Sequence, residues 1–424
     1  MFTGAGAMVV ALSLSLGLSL GITPVPAVDA SVACASNSCV TTVESELPDV
    51  PASPVPAESD EGASDDLGEL VTPPPSFDEI ETWWTGLSPA TQDDLIAESP
   101  ELIGNLDGID FDLRDRVNRG LLDSTIATLE ASLESGMGKA AAGSITQRLD
   151  MLREIDESLE RPTGSPERRL ISLDTTFPGK AAVAIGEIER ADFISILVPG
   201  ALLSVRAHMS EWTKVASDLY QSQEAWQTTF SDPRSVATVS WIGYQTPDVT
   251  NAVSLDLAEQ GAEMLAGFVN GLKALRADHE PYISVFAHSY GATATTLALS
   301  RGTMTIDALA MIGSPGGDVS NVSQLGIAGD KVWVGEAPWD PIVNTAFFGV
   351  DPSAPSFGAH RMNVSGSSDP VTGAVLTASV GHDWYLEPGT ESLRNLALIG
   401  IDRGEFVTDG SDDDQLKTLA LLDR

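Results

Sequence analysis

One stretch, from Tyr282 to Leu299, constrains the fold of this chain more than any other. Its first five residues are β-branched or aromatic except for one serine, and this pattern predicts a short buried strand. The turn Ala287-His288-Ser289-Tyr290-Gly291 follows at once, and then small residues that favour a helix. A sharp turn between strand and helix lifts the Ser289 hydroxyl off the sheet edge, beside the positive helix N-terminus. The sequence therefore predicts a nucleophile elbow at Ser289.

Two features of this turn bear on the prediction. Crowding requires small neighbours, and Gly291 meets this requirement, whereas Ala287 stands where glycine is more common. The alternative is an ordinary strand-to-helix turn in which Ser289 only caps the helix. An acid and a histidine that follow Ser289 in that order favour the elbow.

Strand and helix signals alternate after residue 162, which predicts a mainly parallel sheet. Residues 163–424 are therefore expected to form a catalytic domain with the α/β-hydrolase fold and about eight strands. The expected strands are 169–174, 181–188, 193–198, 236–241, 282–287, 306–312, 331–334 and 361–364. The expected helices are about 203–220, 250–276 and 289–300, with a closing helix near 391–398.

Asp340 is the predicted acid, because it follows the strand 331–334 and lies at the carboxyl edge of the sheet. Pro341 stiffens this position. Glu336 and Asp351 are its rivals, since the same region is rich in acidic residues.

His382 is the predicted general base. The chain has five histidines, and two of them, His360 and His382, follow Asp340 as the order serine, acid, histidine requires. His360 begins the last expected strand, whereas His382 lies in the loop before the closing helix. His288, directly before the serine, is expected to be structural.

The loop Val198-Pro-Gly-Ala201 ends the third expected strand, and in this fold such a loop supplies one amide of the oxyanion hole. Either Gly200 or Ala201 is expected to donate it, and Tyr290 to donate the second. The alternative is a plain turn at the end of a strand.

The N-terminal region predicts export. Residues 5–22 are mostly apolar and two prolines follow, so residues 1–30 are expected to be a signal peptide or a membrane anchor. Residues 31–75 are acidic and rich in proline, as in a flexible linker. Cys34 and Cys39, the two cysteines of the chain, are expected to form a disulfide. The alternatives are lipidation of Cys34, since Ser31-Val-Ala-Cys34 distantly resembles a lipoprotein acylation site, and a pair of idle cysteines. The protein is expected to be secreted or associated with the cell envelope.

Charge and composition exclude several classes of function. The formal net charge is −38, which argues against nucleic acid or an anionic membrane surface as partner. No His-Glu-x-x-His motif, cysteine cluster or phosphate-binding loop is present in the sequence, so neither a metal nor another cofactor is expected.

Residues 76–162 carry helical signals and are expected to pack on the catalytic domain, with a lid as the alternative. Ser88 is the expected cap of one helix, and Ser144 with Gln147 resembles a capping box. A polar cluster in this segment is expected to be solvated or to pair helices: Asp107, Arg114, Asp115 and Asn118.

Several motifs together resemble one family. They are Trp83-Trp84-x-x-Leu-Ser-Pro, Gly104-Asn-Leu-Asp-Gly, Arg114-Asp-x-x-Asn118, Val198-Pro-Gly, Trp241-Ile-Gly-Tyr, His288-Ser-Tyr-Gly, Gly313-Ser-Pro-Gly and Gly381-His-x-x-Tyr. The chain is similar to an actinobacterial α/β-hydrolase family catalogued as a domain of unknown function. The resemblance implies a hydrolase in which Ser289, Asp340 and His382 act together. Ala287 for glycine and Asp110 for proline depart from the pattern.

These observations predict a serine hydrolase that cleaves an ester-like acyl bond in a small-molecule or lipid substrate. A lipid-directed esterase is one alternative, indicated by the apolar runs Ala346-Phe-Phe-Gly-Val and Ala201-Leu-Leu. A secreted binding protein without catalytic activity on the same fold is another.

Overall fold

The computed structural model describes residues 73–74, 76–248, 250–343 and 345–411. The predicted export segment, both cysteines and almost all of the predicted linker lie outside these residues. Within the described part of the chain, no helix has the length and apolar character needed to cross a membrane.

In the described part of the chain, five helices precede the sheet, as the helical segment predicted. They are α1 (Phe77–Gly86), α2 (Pro89–Glu98), α3 (Pro100–Ile103), α4 (Phe111–Glu134) and α5 (Lys139–Leu159). Ser88 caps α2 by accepting a hydrogen bond from the Thr91 amide, and Asp110 caps α4 through the Leu113 amide. The carboxylate of Asp110 thus has a local role where proline was expected. The predicted capping box is wrong, because Ser144 lies inside α5 and bonds back to the Ala140 carbonyl.

Eight strands form one sheet in the order β1-β2-β4-β3-β5-β6-β7-β8. β1 and β2 are antiparallel, whereas β3 to β8 all run parallel. The predicted α/β-hydrolase fold with a mostly parallel sheet is therefore confirmed. The strands are β1 (Arg168–Asp174), β2 (Lys180–Ile185), β3 (Phe193–Val198), β4 (Val236–Ile242), β5 (Tyr282–His288), β6 (Ala308–Ile312), β7 (Val332–Gly335) and β8 (His360–Arg361).

Two strands end three residues before their predicted ends. β2 ends at Ile185 because Gly186 has a positive φ of 88°. The last strand is only two residues long, because the amide of Asn363 bonds to Thr408 and the carbonyl of Val364 to Ser379. The helices of this half are α6 (Val205–Phe230), α7 (Asp256–Leu275), α8 (Tyr290–Ser300) and α9 (Glu391–Gly400). α6 runs ten residues beyond its predicted end at residue 220.

The sheet is covered on both faces, so its strands are buried and almost continuously apolar. Alternate residues of β5 show the two layers: Phe286 joins the core beneath α5, α6 and α9, while Val285 and Ala287 join the core beneath α7 and α8. Helix α4 packs along β1, and α5 packs on α6. The elbow, which follows β5, therefore lies in the middle of a sheet that is covered on both faces.

The polar cluster of the helical segment is not solvated. Arg114 and Asn118 are buried, and the Asn118 side-chain amide donates to the carbonyls of Gly104 and Leu170. Arg114 donates to Asp107, and the Leu170 amide donates to Asp115. These bonds attach α4 to the edge strand β1, because the edge carries backbone groups that would otherwise be unpaired.

Candidate active site

Ser289 occupies the sharp turn between β5 and α8. Its φ and ψ are 53° and −126°, a conformation that L-residues rarely adopt. Its amide donates to the Ile312 carbonyl at 2.9 Å. A side chain on Gly291 would approach the Pro199 carbonyl oxygen to 2.6 Å, which explains the small residue there. The Ser289 hydroxyl makes no capping hydrogen bond to α8, so the helix-cap alternative has no support.

Ser289, His382 and Asp340 form a hydrogen-bonded series. His382 Nε2 lies 2.8 Å from Ser289 Oγ, and His382 Nδ1 lies 2.9 and 3.0 Å from the two Asp340 oxygens. With Nδ1 protonated, the imidazole donates to the carboxylate and accepts the serine proton. The His382 side chain is 10% exposed and that of Asp340 is fully buried. The structure thus brings together side chains that are 93 positions apart at their widest.

Asp340 is buried as an anion among donors. The Tyr385 hydroxyl donates to its Oδ2 at 2.7 Å, and the Ile342 amide donates to its Oδ1 at 2.9 Å. Burial alone would raise the pKa of Asp340, but the hydrogen bonds from His382, Ile342 and Tyr385 outweigh it and lower that pKa. Sequence reasoning missed Tyr385, although it ends the quoted motif Gly381-His-x-x-Tyr.

His288 supports the position of His382. Its Nε2 donates to the His382 backbone carbonyl at 2.8 Å, and the two rings lie 4.7 Å apart. Burial, with the neighbouring His382, lowers the pKa of His288 to about 3. The neutral His288 ring can therefore donate a hydrogen bond to the His382 carbonyl without placing a second positive charge beside His382.

The rival residues lie outside this hydrogen-bonded series. Glu336 faces Arg361 at 3.5 Å, and Asp351 accepts from the Ser353 amide. His360 is exposed at the start of β8, where its ring lies near that of Trp333.

The carboxyl of Glu336 provides a pH test of this region. Burial, strengthened by the Asp351 carboxylate, raises the pKa of Glu336 from 4.5 to about 7. Between these values the native state keeps a proton that the unfolded chain has lost, so the free energy of unfolding falls as pH rises. Glu336 is expected to contribute about 3 kcal/mol to this fall, and its contribution should disappear in Glu336→Gln. The part due to Glu189, whose pKa burial also raises to about 7, should remain in that variant. Urea titrations from pH 4.5 to 8 measure the fall. Asp351→Asn should make the fall smaller, and an equal fall in Glu336→Gln would contradict the assignment.

The loop after β3 is pressed against the serine. A side chain on Gly200 would lie 2.5 Å from Ser289 Cβ, and the Tyr244 hydroxyl holds the loop through the Pro199 carbonyl at 2.7 Å. Ala201 follows and is half-buried. Tyr290 places its ring in the core, where its hydroxyl donates to the Ser254 carbonyl. Both predicted sources of oxyanion-hole amides therefore flank Ser289.

Two small residues, Ala287 and Gly313, lie next to the candidate active site. Ala287 is fully buried in β5, so its methyl group is accommodated within the layer. Gly313 follows β6 with a φ of 59°, and a side chain there would lie 3.1 Å from Asp340 Oδ2 and from His382 Nδ1. Sequence reasoning assigned no role to Gly313, although the quoted motif Gly313-Ser-Pro-Gly contains it.

Three carboxylates elsewhere are close enough to share a metal ion, namely those of Asp110, Asp112 and Glu189. Arg169 donates to Asp112 at 2.5 Å, and the Asp112 amide donates to Glu189 at 2.9 Å. The cluster thus has partners within the protein and lies at the start of α4, away from Ser289.

Comparison with known proteins identifies the family of this chain. A family model described as alpha/beta hydrolase matches residues 174–350. The chain is 31% identical over 227 residues to an uncharacterized protein of Mycobacterium bovis, covering 52% of this chain and 82% of that protein. The chain belongs to the alpha/beta hydrolase family.

One further relative and one solved structure are also similar to the chain. An uncharacterized protein of Mycobacterium tuberculosis is 29% identical over 415 residues, which cover 85% of this chain. The chain spans 60% of the length of that relative. Among solved structures, the dienelactone hydrolase of Anabaena variabilis is similar with a TM-score of 0.35 and 15% identity, covering 57% of this chain and 99% of that one.

Proposed function

We propose that this protein is a serine hydrolase that cleaves an ester-like acyl bond, with Ser289 as nucleophile, His382 as general base and Asp340 as the supporting acid. One observation carries the proposal: Ser289 Oγ, at the strained turn, lies 2.8 Å from an imidazole whose other nitrogen meets a buried carboxylate. Family membership in the alpha/beta hydrolases agrees with it.

In the first half-reaction, Ser289 Oγ attacks the carbonyl carbon of the substrate while its proton passes to His382 Nε2. The carbonyl oxygen becomes an oxyanion, which the amides of Tyr290 and of Gly200 or Ala201 stabilise. His382 then gives its proton to the leaving alcohol as the carbon–oxygen bond breaks. An acyl-Ser289 ester remains.

In the second half-reaction, water loses a proton to His382 and attacks the acyl carbon. His382 returns a proton to Ser289 Oγ, and the carboxylic acid leaves. The positive imidazolium forms twice in the cycle, and the buried Asp340 carboxylate stabilises it each time. His288, which stays neutral because burial lowers its pKa to about 3, adds no charge that opposes imidazolium formation.

A fluorophosphonate probe tests the nucleophile directly. Ser289 Oγ should attack the phosphorus, release fluoride and keep the phosphonyl group, which mass spectrometry of the tryptic peptide locates. Labelling should be lost in Ser289→Ala and retained in Ser300→Ala, whose hydroxyl is exposed at the end of α8. A folded protein that takes no label would overturn the proposal and favour the alternative of a binding protein.

We further propose that the protein is secreted or associated with the cell envelope. The mostly apolar run at residues 5–22 and the acidic, proline-rich residues 31–75 support this proposal. Fractionation of the source cells tests it, because a chain found in the cytoplasm with residues 1–30 still attached would contradict it.

Gly313→Ala should damage the site without unfolding the protein. The added carbon must displace Asp340 Oδ2 or His382 Nδ1, each 3.1 Å away, and we expect kcat/KM to fall about 10²-fold. Gly302→Ala is the matched control, because its φ of 64° imposes similar strain while no atom lies within 4 Å of the new carbon. Ester hydrolysis and thermal unfolding of both variants measure the difference. Equal losses of activity would show that backbone strain, not contact with the site, is responsible.

A further inference from the structure

Four exposed apolar side chains belong to the loops beside the candidate active site. Trp339 is 86% exposed and Trp384 is 51% exposed, although tryptophan is usually buried. Val380 and Phe347 are each nearly half exposed. Trp339 directly precedes Asp340, and Trp384 lies two residues after His382. We call Trp339, Phe347, Val380 and Trp384 the apolar rim.

Contacts between the loops place the rim at one site. The Gly381 amide donates to the Pro338 carbonyl at 2.9 Å, which joins the loop of Trp339 to that of Val380. On another side, the ring of Phe347 lies 4.9 Å from that of Phe348, which lies 5.4 Å from the ring of Tyr290. Since Tyr290 follows Ser289, the rim adjoins the loops that carry all three reactive side chains.

Trp339 has a strained backbone conformation. Its φ is 64°, in the left-handed region that bulky residues avoid. Six non-glycine residues of the described chain have positive φ, and three besides Trp339 also lie in the loops of this site: Leu202, Ser289 and Ala346. Strained backbone of this kind clusters at functional sites, so Trp339 is a candidate for a functional role.

The loops of the apolar rim lack basic residues, which disfavours binding to an anionic surface. Residues 336–348 and 379–387 contain no lysine or arginine, and the chain as a whole carries a net charge of −38. Burial raises the pKa of Asp383, and the nearby carboxylates of Asp340 and Glu211 contribute to the rise. A membrane of anionic lipid would be repelled, whereas a lipid surface without net charge would not.

We propose that the apolar rim inserts into the surface of lipid aggregates that carry no net charge, and so presents their ester bonds to Ser289. This inference rests on the proposed function and narrows its substrate class to water-insoluble acyl esters. Trp339 and Trp384 contribute most, because tryptophan combines a large apolar area with a ring that suits the boundary between lipid and water.

Tryptophan fluorescence tests the insertion apart from catalysis. The full-length Ser289→Ala protein is mixed with vesicles of brominated phosphatidylcholine, whose bromine quenches indoles that enter the lipid. Residues 1–82 contain no tryptophan, so an N-terminal anchor cannot produce the signal. We expect quenching that disappears in Trp339→Phe/Trp384→Phe, and that is weaker in vesicles containing 30% phosphatidylglycerol.

A second set of variants tests binding through the rim. Trp339→Ser/Trp384→Ser should lower the ratio of activity on emulsified tributyrin to activity on soluble p-nitrophenyl acetate at least tenfold. Phe177→Ser is the matched control, because Phe177 is 44% exposed but lies between β1 and β2, far across the sheet from β8. Three outcomes would overturn the inference. They are a lack of quenching, quenching that requires phosphatidylglycerol, and a fall in the activity ratio of Phe177→Ser equal to that of Trp339→Ser/Trp384→Ser. Labelling by the fluorophosphonate without quenching would leave the hydrolase proposal standing and remove this one.

Discussion

Ser289→Ala is expected to lower kcat/KM for ester hydrolysis by roughly 10⁴- to 10⁶-fold. The Ser289 hydroxyl lies 2.8 Å from His382 Nε2, so the variant lacks the nucleophile for the first half-reaction. The serine side chain is small and the turn already accepts a β-carbon at residue 289, so stability should change little. Initial rates on p-nitrophenyl esters from two to sixteen carbons measure the loss, with thermal unfolding as the check on folding.

Ser300→Ala is the matched control for this prediction, since it removes a hydroxyl from the same helix without touching the site. It should retain wild-type rates. Activity in Ser289→Ala within tenfold of wild type would contradict the assignment of the nucleophile.

Asp340→Asn is expected to lower kcat/KM by roughly 10⁴-fold, the loss known for such a change in a serine protease triad. The carboxylate accepts from His382 Nδ1 and from the Tyr385 hydroxyl, and an asparagine amide turned toward Nδ1 would favour the wrong imidazole tautomer. Nε2 would then carry the proton and could not take one from Ser289. Steady-state kinetics measure the loss, and near-ultraviolet circular dichroism verifies that the loop keeps its fold.

The rival acid supplies the control. Asp351→Asn makes the same change at a carboxylate that bonds to the Ser353 amide and lies outside the series. It should keep rates within a few-fold of wild type. A large loss in Asp351→Asn together with full activity in Asp340→Asn would assign the acid to the other loop.

Local sequence patterns were most reliable where the chain is buried and continuous. β3 has its predicted bounds, Phe193–Val198, because an apolar run bounded by polar and turn residues leaves few alternatives. The prediction was poorer where backbone partners come from distant segments. Of the strand predicted at 361–364, only Arg361 lies in the observed strand His360–Arg361, since Asn363 and Val364 bond to residues 408 and 379. The capping box at Ser144 failed because the same residues fit equally well inside a long helix.

The site also combines features that the local sequence predicts with contacts that it does not predict. The order Ser289, Asp340, His382 follows from reading along the chain, and the structure sets these side chains within hydrogen-bonding distance. Tyr385 and Gly313 had no predicted role, and His288 was predicted only to be structural. Their contacts with Asp340 and His382 depend on which rotamers and loop turns fit together, and single-residue patterns carry no information on that.

The sequence by itself determined the fold class and the position of the elbow, because strand and helix periodicities and a small-residue turn are local properties of the chain. Tertiary structure alone decided that Asn118 is buried against β1, that Gly200 touches Ser289 and that Trp339 stands exposed beside Asp340. These features involve residues that are far apart in the chain, or they depend on the backbone conformation of loops. They are therefore determined only by the packing of the whole domain, which selects one arrangement.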